Sequence, residues 1–301
     1  MNKLLRFIKD RPFRISILAS RGFYDRMSDE KFLKMKYRAI FGRELDLEDP
    51  KTYNEKLQWL KLYDREDIYT TMVDKYEAKK YVADIIGEEY VIPTLGVWDK
   101  FEDIDFDALP EKFVLKTTHD SGGIVICRDK AAFNIEKARA KLTTSLKRRY
   151  YSHSREWPYK NVKPRILAEQ YMEDAATAEL RDYKLYCFDG EVKSVMVATG
   201  RQSADGVHTD FFDEDFVHFS LTHGHPNADI PPEKPANFER MKELAGVLSK
   251  GIPHLRVDFY DVNGKIYFGE LTFSSSGGFV PFDPPEWDEK FGSLIILPSR
   301  R

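Results

Sequence analysis

An α+β fold is expected, on three observations. Capped helical runs fill the first third of the chain, strand-like runs joined by tight turns dominate afterwards, and no regular strand–helix alternation links them. Taken in order, residues 28–65 read as helical. Ser28 caps "DEKFLKMKYRAIF", which Gly42 stops, and Thr52 with Glu55 forms a capping box before "KLQWLKLY". A further helix over 74–86 starts at Asp74, with Glu77 three residues on. "YVIPTLGVW", "KFVLKTT" and "IVICRD" are strands, the last two joined by a turn through Ser121-Gly122-Gly123. A helix near 134–150 runs out into "KRRYYSHS", expected to be a polar, mobile loop. The strand "PRILAEQYM" (164–172) precedes a hairpin over 182–199, marked by Asp189-Gly190. Residues 200–236 read as loop, and Phe238, Met241, Leu244, Ala245 and Leu248 give a helix ended by Gly251.

The 301 residues suffice for more than one core. Acids and bases nearly cancel at a net charge of −3, which argues against a dedicated nucleic-acid binder. Cys127 and Cys187 lie in apolar runs and read as packed, reduced thiols of a cytosolic protein. No stretch approaches the roughly 18 apolar residues of a membrane span. The basic N-terminus, "MNKLLRFIKDRPFRISILASRGFYDR", carries Pro12 and several arginines where a signal peptide keeps an apolar run. It reads as a helical extension packed on its own domain, or as a contact for an anionic membrane face or a partner.

The last hairpin, "HLRVDFYDVNGKIYFGELTF" (254–273), holds an acid in each strand, Asp258 and Glu270. The two share a face only across a loop of odd length. A three-residue loop Val262-Asn263-Gly264 is therefore expected, with Asp258 opposite Phe268 and Glu270 opposite Arg256. Adjacent buried carboxylates repel, and Mg²⁺ with phosphate oxygens would offset that. An ion pair of Glu270 with Arg256 is the simpler alternative. Lys116 ends a strand before a glycine-rich turn, an arrangement able to meet polyphosphate. Lys75 follows the cap Asp74, where a cation opposes the helix dipole unless an anion is near.

In order and spacing, Asp74-Lys75, Lys116 with its glycine turn, Glu169-Gln170-Tyr171-Met172, Asp182-Tyr-Lys184, Asp258 and Glu270 resemble the ATP-grasp superfamily. "SDEKFLKMKYRAIFGRELDLEDPKTYNEKLQWLKLYDR" with the final hairpin resembles its teichuronopeptide-biosynthesis (TupA-like) branch, associated with capsule and other surface polysaccharides. The resemblance implies an ATP-grasp fold with a helical region (1–72), a lid subdomain with its preceding helix (73–170) and a C-terminal subdomain with the metal site (171–301). It implies that Lys75 and Lys116 bind phosphates, that Ser121, Gly122 and Gly123 form the flap, and that Glu169, Gln170, Tyr171 and Met172 read adenine. Asp182 or Glu173 would meet the ribose, Lys184 the transferred phosphate, and Asp258 and Glu270 the Mg²⁺. Thr272 stands where the family has Asn, leaving Ser274 or water to complete the metal shell, and "SSSGGF" (274–279) would shape the acceptor pocket.

The implied reaction is a ligation. ATP phosphorylates a carboxylate, an amine attacks the acyl phosphate, and Arg256 clamps the carboxylate, steadies the oxyanion or orients Glu270. A uronic acid of a polysaccharide precursor and an amino acid or small amine are the implied partners, in the cytoplasm or at the inner membrane face. His208, His218, His223 and His225 fall in the 200–236 segment, which could line the acceptor groove; His223-x-His225 alone is a poor zinc site. Two other readings stand beside this one. A glycosyltransferase would use Asp105-Phe-Asp107 or Asp213-Glu-Asp215 for a metal, and a binding protein would keep the nucleotide clasp without turnover.

Overall fold

The computed structural model describes residues 3–175, 180–200 and 206–300. Its frame is two antiparallel sheets. The smaller holds β1 (Thr94–Trp98), β2 (Phe113–Thr117), β3 (Ile124–Cys127) and β4 (Ile166–Gln170), in the order β1-β4-β2-β3. The larger holds β5 (Asp182–Phe188), β6 (Glu191–Thr199), β7 (His208–Asp213), β8 (His218–Phe219), β9 (Leu255–Val262) and β10 (Lys265–Thr272), in the order β10-β9-β5-β6-β7-β8. The chain is α+β, as its element order implies.

Helices cover both faces of the larger sheet. On one face lie α5 (Ile68–Val73), α6 (Glu77–Ile86) and α9 (Phe238–Ser249), whose Met72, Val82, Met241 and Leu244 pack on Leu185, Val195, Val257 and Phe259. On the other lie α3 (Asp29–Phe41), α4 (Tyr53–Tyr63) and α10 (Glu286–Leu294), whose Tyr37, Tyr53, Leu57 and Phe291 pack on Tyr186, Phe188, Met196 and Phe211. Alternation along β5 sorts these faces: Leu185 and Cys187 point one way, Tyr186 and Phe188 the other. The smaller sheet buries Phe113, Leu115 and Ala168 against Ala138 and Leu142 of α7 (Ile135–Leu146).

Several local signals act as read. Thr52 and Glu55 form both bonds of the capping box, Gly42 ends α3 at φ 71°, and Asp189-Gly190 turns at φ 47° and 87°. Other expectations fail because tertiary partners override local polarity. "KRRYYSHS" is ordered: Tyr150–Ser154 form the short helix α8, with Ser152 and Ser154 buried. Its Tyr151 hydroxyl donates to Asp29 at 2.5 Å and Ser152 to Asp25 at 2.9 Å, so the start of α3 and the turn before it hold this polar run. The segment 200–236 contains β7 and β8, with Phe211 and Phe212 buried; residues 201–205 lie outside the described residues. The helix over 77–86, expected with the lid, packs on the larger sheet instead.

The N-terminal region is mostly part of the molecule, since α3 and α4 build a core. Its first helix differs: α1 (Lys3–Lys9) buries no residue and exposes Leu4, Leu5 and Ile8. No described helix is long and apolar enough to cross a membrane.

Candidate active site

The final hairpin places its acids together by a route the sequence reading missed. Its turn has two residues, not three: Asn263 and Gly264, at φ 52° and 76°, with Val262 paired to Lys265. Such a turn alone sets Asp258 and Glu270 on opposite faces. A β-bulge between Phe268 and Glu270, at Gly269, resets the alternation. Ile266 and Phe268 thus enter the core with Leu271, while Glu270 sits directly opposite Asp258 and Thr272 opposite Arg256. The expected pairings of Asp258 with Phe268 and Glu270 with Arg256 are each displaced by this bulge. A Cβ on Gly269 would lie 3.1 Å from the Asp258 carbonyl oxygen.

Lys184 of β5 is the register partner of Asp258, so Glu270, Asp258 and Lys184 form one row across three strands. This is the same face that carries Tyr186 and Phe188 further along β5, where the helices cover it. Lys184 Nζ donates to Asp182 Oδ2 at 2.5 Å and also to Asp258. Arg256 grips Asp258 with both ends of its guanidinium, Nε to Oδ1 at 2.7 Å and Nη2 to Oδ2 at 2.8 Å. It also donates to Thr272 Oγ1 at 3.0 Å and Ser275 Oγ at 3.1 Å, and lies 3.9 Å from Glu270. Arg256 therefore pairs with Asp258 far more closely than with Glu270.

Facing this row are the lysines of the other elements. Lys75, in the turn between α5 and α6, donates to the Asp120 carbonyl at 2.8 Å and to Glu270 Oε1 at 3.2 Å. Lys116 ion-pairs with Glu169, whose other oxygen takes Lys79 at 2.7 Å. Burial alone would raise the Glu169 carboxyl, but Lys116 and Lys79 hold it below the usual range. Glu270 follows the same logic: burial is outweighed by Lys75, Arg256 and Lys184. Lys79, four residues beyond Lys75, carried no recognised signal. The Glu169 side chain thus works as a counter-ion beside the lysines.

The glycine turn is pinned from beneath by Asp120, also missed. Its carboxylate accepts from Thr117, Ser145 and the Gly123 N–H. Ser121 and Gly122 face the cleft, Gly122 at φ 107°; Gly123 faces inward, where a Cβ would lie 1.9 Å from Thr117 Oγ1.

Three adjoining spaces share lining residues along this cleft. An apolar slot of about 270 Å³ is lined by Ile92, Val114, Ile126, Tyr171 and Met172, with Gln170 and Glu173 at its edge. Glu173 pairs there with Lys112 at 3.4 Å. A polar centre of about 250 Å³ joins it through Lys116 and Glu169, and holds Lys75, Lys79, Asp182, Lys184, Asp258 and Glu270. A third space of about 360 Å³ shares Lys184, Arg256 and Glu270 and continues past Thr272, Ser274, Thr209 and His223. Thr209 Oγ1 is buried there without a hydrogen-bond partner among the described residues.

Asp258 and Glu270 suit Mg²⁺ as a donor set, being two hard carboxylates on one face beside a polyphosphate-sized space. Glu270 is the more open, with 30% of its side chain exposed, whereas Asp258 already accepts from Arg256 and Lys184. Thr272 lies outside the polar centre, in the third space, its hydroxyl accepting from Arg256. Among the described residues no group of three His, Cys, Asp or Glu is placed to hold a metal. His223 bonds the Val280 carbonyl and stacks on Phe282. Asp105 and Asp213 bind backbone N–H groups of their own turns, which accounts for both acid-x-acid triplets without a metal. Both cysteines are buried, and burial pushes the Cys187 thiol up to about 12.

A family model described as TupA-like ATPgrasp matches residues 55–296. Curated proteins give no match. Among solved structures, D-alanine–D-alanine ligase of Bacillus anthracis complexed with ATP is 18% identical at a TM-score of 0.39, over 67% of this chain and 54% of that one. The Helicobacter pylori D-alanine–D-alanine ligase is 13% identical at 0.44, over 83% and 68%. D-cycloserine synthetase DcsG is 16% identical at 0.40, over 74% and 69%. The chain thus spans about half to two thirds of the length of these proteins.

Proposed function

Because the chain belongs to the TupA-like ATP-grasp family, we propose that it joins a carboxylate to an amine at the expense of ATP. The observation that carries the proposal is the row Glu270–Asp258–Lys184 facing Lys75 and Lys116 across one polar space. Acids for a divalent ion and ammonium groups for a polyphosphate converge there from four strands and a turn. The two sheets then act as the halves of a clasp, with residues 73–170 contributing the lid and 171–301 the base, apart from the helix over 77–86.

Adenine would enter the apolar slot beside Glu169–Met172, with Asp182 or Glu173 near the ribose. The phosphates would lie along Lys75 and Lys116 under Ser121 and Gly122. Bound Mg²⁺ would supply charge neutralisation at the phosphate oxygens, held by Glu270 and Asp258. Lys184 faces both the polar centre and the third space, where a substrate carboxylate would attack the γ-phosphorus and expel ADP. Arg256 lies beside it to steady the negative oxygen formed when an amine adds to the acyl phosphate. The family's association with surface polysaccharides points to a uronic acid as the carboxylate.

The test is ADP release with a panel of uronic acids paired with amino acids and simple amines. Amine-stimulated ADP release, with an amide in the product, supports the ligase. ATP binding without turnover across the panel makes this a nucleotide-binding module, and absence of ATP binding removes the reading altogether.

A further inference from the structure

Glu156 is buried, yet it borders two spaces at once: the third space with Lys184 and Arg256, and an outer chamber of about 620 Å³ with Lys36, Arg148 and His153. Building on the ligase reading, we propose that Glu156 is the general base that deprotonates the incoming amine. Among the described residues its carboxylate takes one hydrogen bond, from Ser154 Oγ at 2.5 Å. It sits beneath the turn at Gly277, where an added Cβ would lie 3.5 Å from Oε1.

The charges around it come from every neighbouring element. Lys61 of α4 and Lys36 of α3 stand on the N-terminal side, Tyr150 and Tyr159 beside it, and Glu270 of β10 across the cleft. Lys61 is held by three carbonyl-type oxygens, Gln58 Oε1, Ser154 O and Gly277 O, at 2.9, 3.0 and 2.5 Å. Lys36 bonds the His153 carbonyl at 2.8 Å. These lysines oppose the burial of Glu156 without forming a direct ion pair with it. Burial nonetheless raises the Glu156 carboxyl above the ordinary glutamate range, the direction in which a carboxylate becomes a stronger base. The rival bases are poorer. Burial holds His223 at about 4, and Asp258 and Glu270 face cations.

An aliphatic amine arrives as an ammonium ion, which cannot attack. Glu156 takes one N–H proton. The freed nitrogen pair bonds the acyl carbon, the carbon–oxygen bond to phosphate breaks, and phosphate leaves. The second N–H proton departs with the released phosphate, and Glu156 returns its own to water. Glu156 lines the third space but not the polar centre proposed for the phosphates, so the first half-reaction does not call on it.

Hydroxylamine separates the steps, because it is already uncharged at neutral pH and needs no base. The carboxylate giving most ADP in the panel is incubated with ATP, Mg²⁺ and either hydroxylamine or glycine, using the wild-type protein and Glu156→Gln. The variant should form hydroxamate within about twofold of wild type and lose amide formation about a hundredfold. Its amide rate should climb with pH as glycine loses its own proton. Equal amide rates in the two proteins overturn the proposal, as does parallel loss of both products, which marks a structural carboxylate. A wild-type protein forming neither product removes the ligase reading and Glu156's role with it.

Discussion

Single side chains in this cleft owe their state to partners from distant parts of the chain. Glu169 is charged because Lys116 and Lys79 hold its two oxygens. Replacing Lys116 by Met removes a cation from the proposed phosphate path and leaves a buried carboxylate half-compensated in the same place. ATP affinity should fall by about 2–4 kcal/mol, read as Kd by calorimetry. Adding Glu169→Gln should restore part of the loss, because the residual anion is then gone. An ATP Kd within threefold of wild type for Lys116→Met would place the nucleotide elsewhere. Lys116 was legible from its place before a glycine turn, whereas Lys79 and Asp120 were not. Their roles depend on what faces them, and neither has a motif around it.

At the scale of the element, one extra residue in β10 decides where the acids point. Asn263-Gly264 is a strong two-residue hairpin signal, and by itself it would separate Asp258 from Glu270. Gly269 reverses that, where the backbone carbonyl of Asp258 and the ring of Tyr260 approach too closely for a side chain to sit comfortably. Gly269→Val should destabilise the fold by about 1–3 kcal/mol, and should weaken Mg²⁺-dependent ATP binding beyond what melting explains. Unchanged nucleotide binding at a lowered melting temperature would mean that the bulge serves packing alone. A lone glycine in a strand suggests a bulge or a close backbone approach, and the sequence cannot say which. The polar "KRRYYSHS" shows the same limit, since its helix exists because Asp25 and Asp29 meet it.

At the scale of the molecule, the two cores are joined through the larger sheet, and buried histidines lie along one of them. His254 accepts from the Tyr53 hydroxyl at 2.8 Å, bonds the Cys187 carbonyl at 3.0 Å, and is held by burial at about 3. His223 is likewise held at about 4 by burial. In the unfolded chain these groups protonate near 6.5, so the folded state binds fewer protons as pH falls. Their stabilising effect is whole above pH 6.5 and drains as the pH drops toward 4 and then 3. Each contributes a slope of up to about 1.4 kcal/mol per pH unit in that window. Urea unfolding between pH 6.5 and 4.5 should show a steep loss, made shallower by about 1 kcal/mol per unit in His254→Gln. An unaltered slope in that variant would show that His254 is charged in the fold.

The sequence by itself determined the α+β class, the capped helices, the hairpins and the candidate residues Lys75, Lys116, Lys184, Asp258 and Glu270. These rest on local chemistry: capping atoms, glycine turns, period-2 alternation and motif order. Tertiary structure decided that α6 belongs with the larger sheet, that Arg256 grips Asp258, and that a bulge brings the two acids face to face. Those outcomes depend on which surfaces meet across the cleft. A charge fixes its partner only once the backbone has set the distance between them.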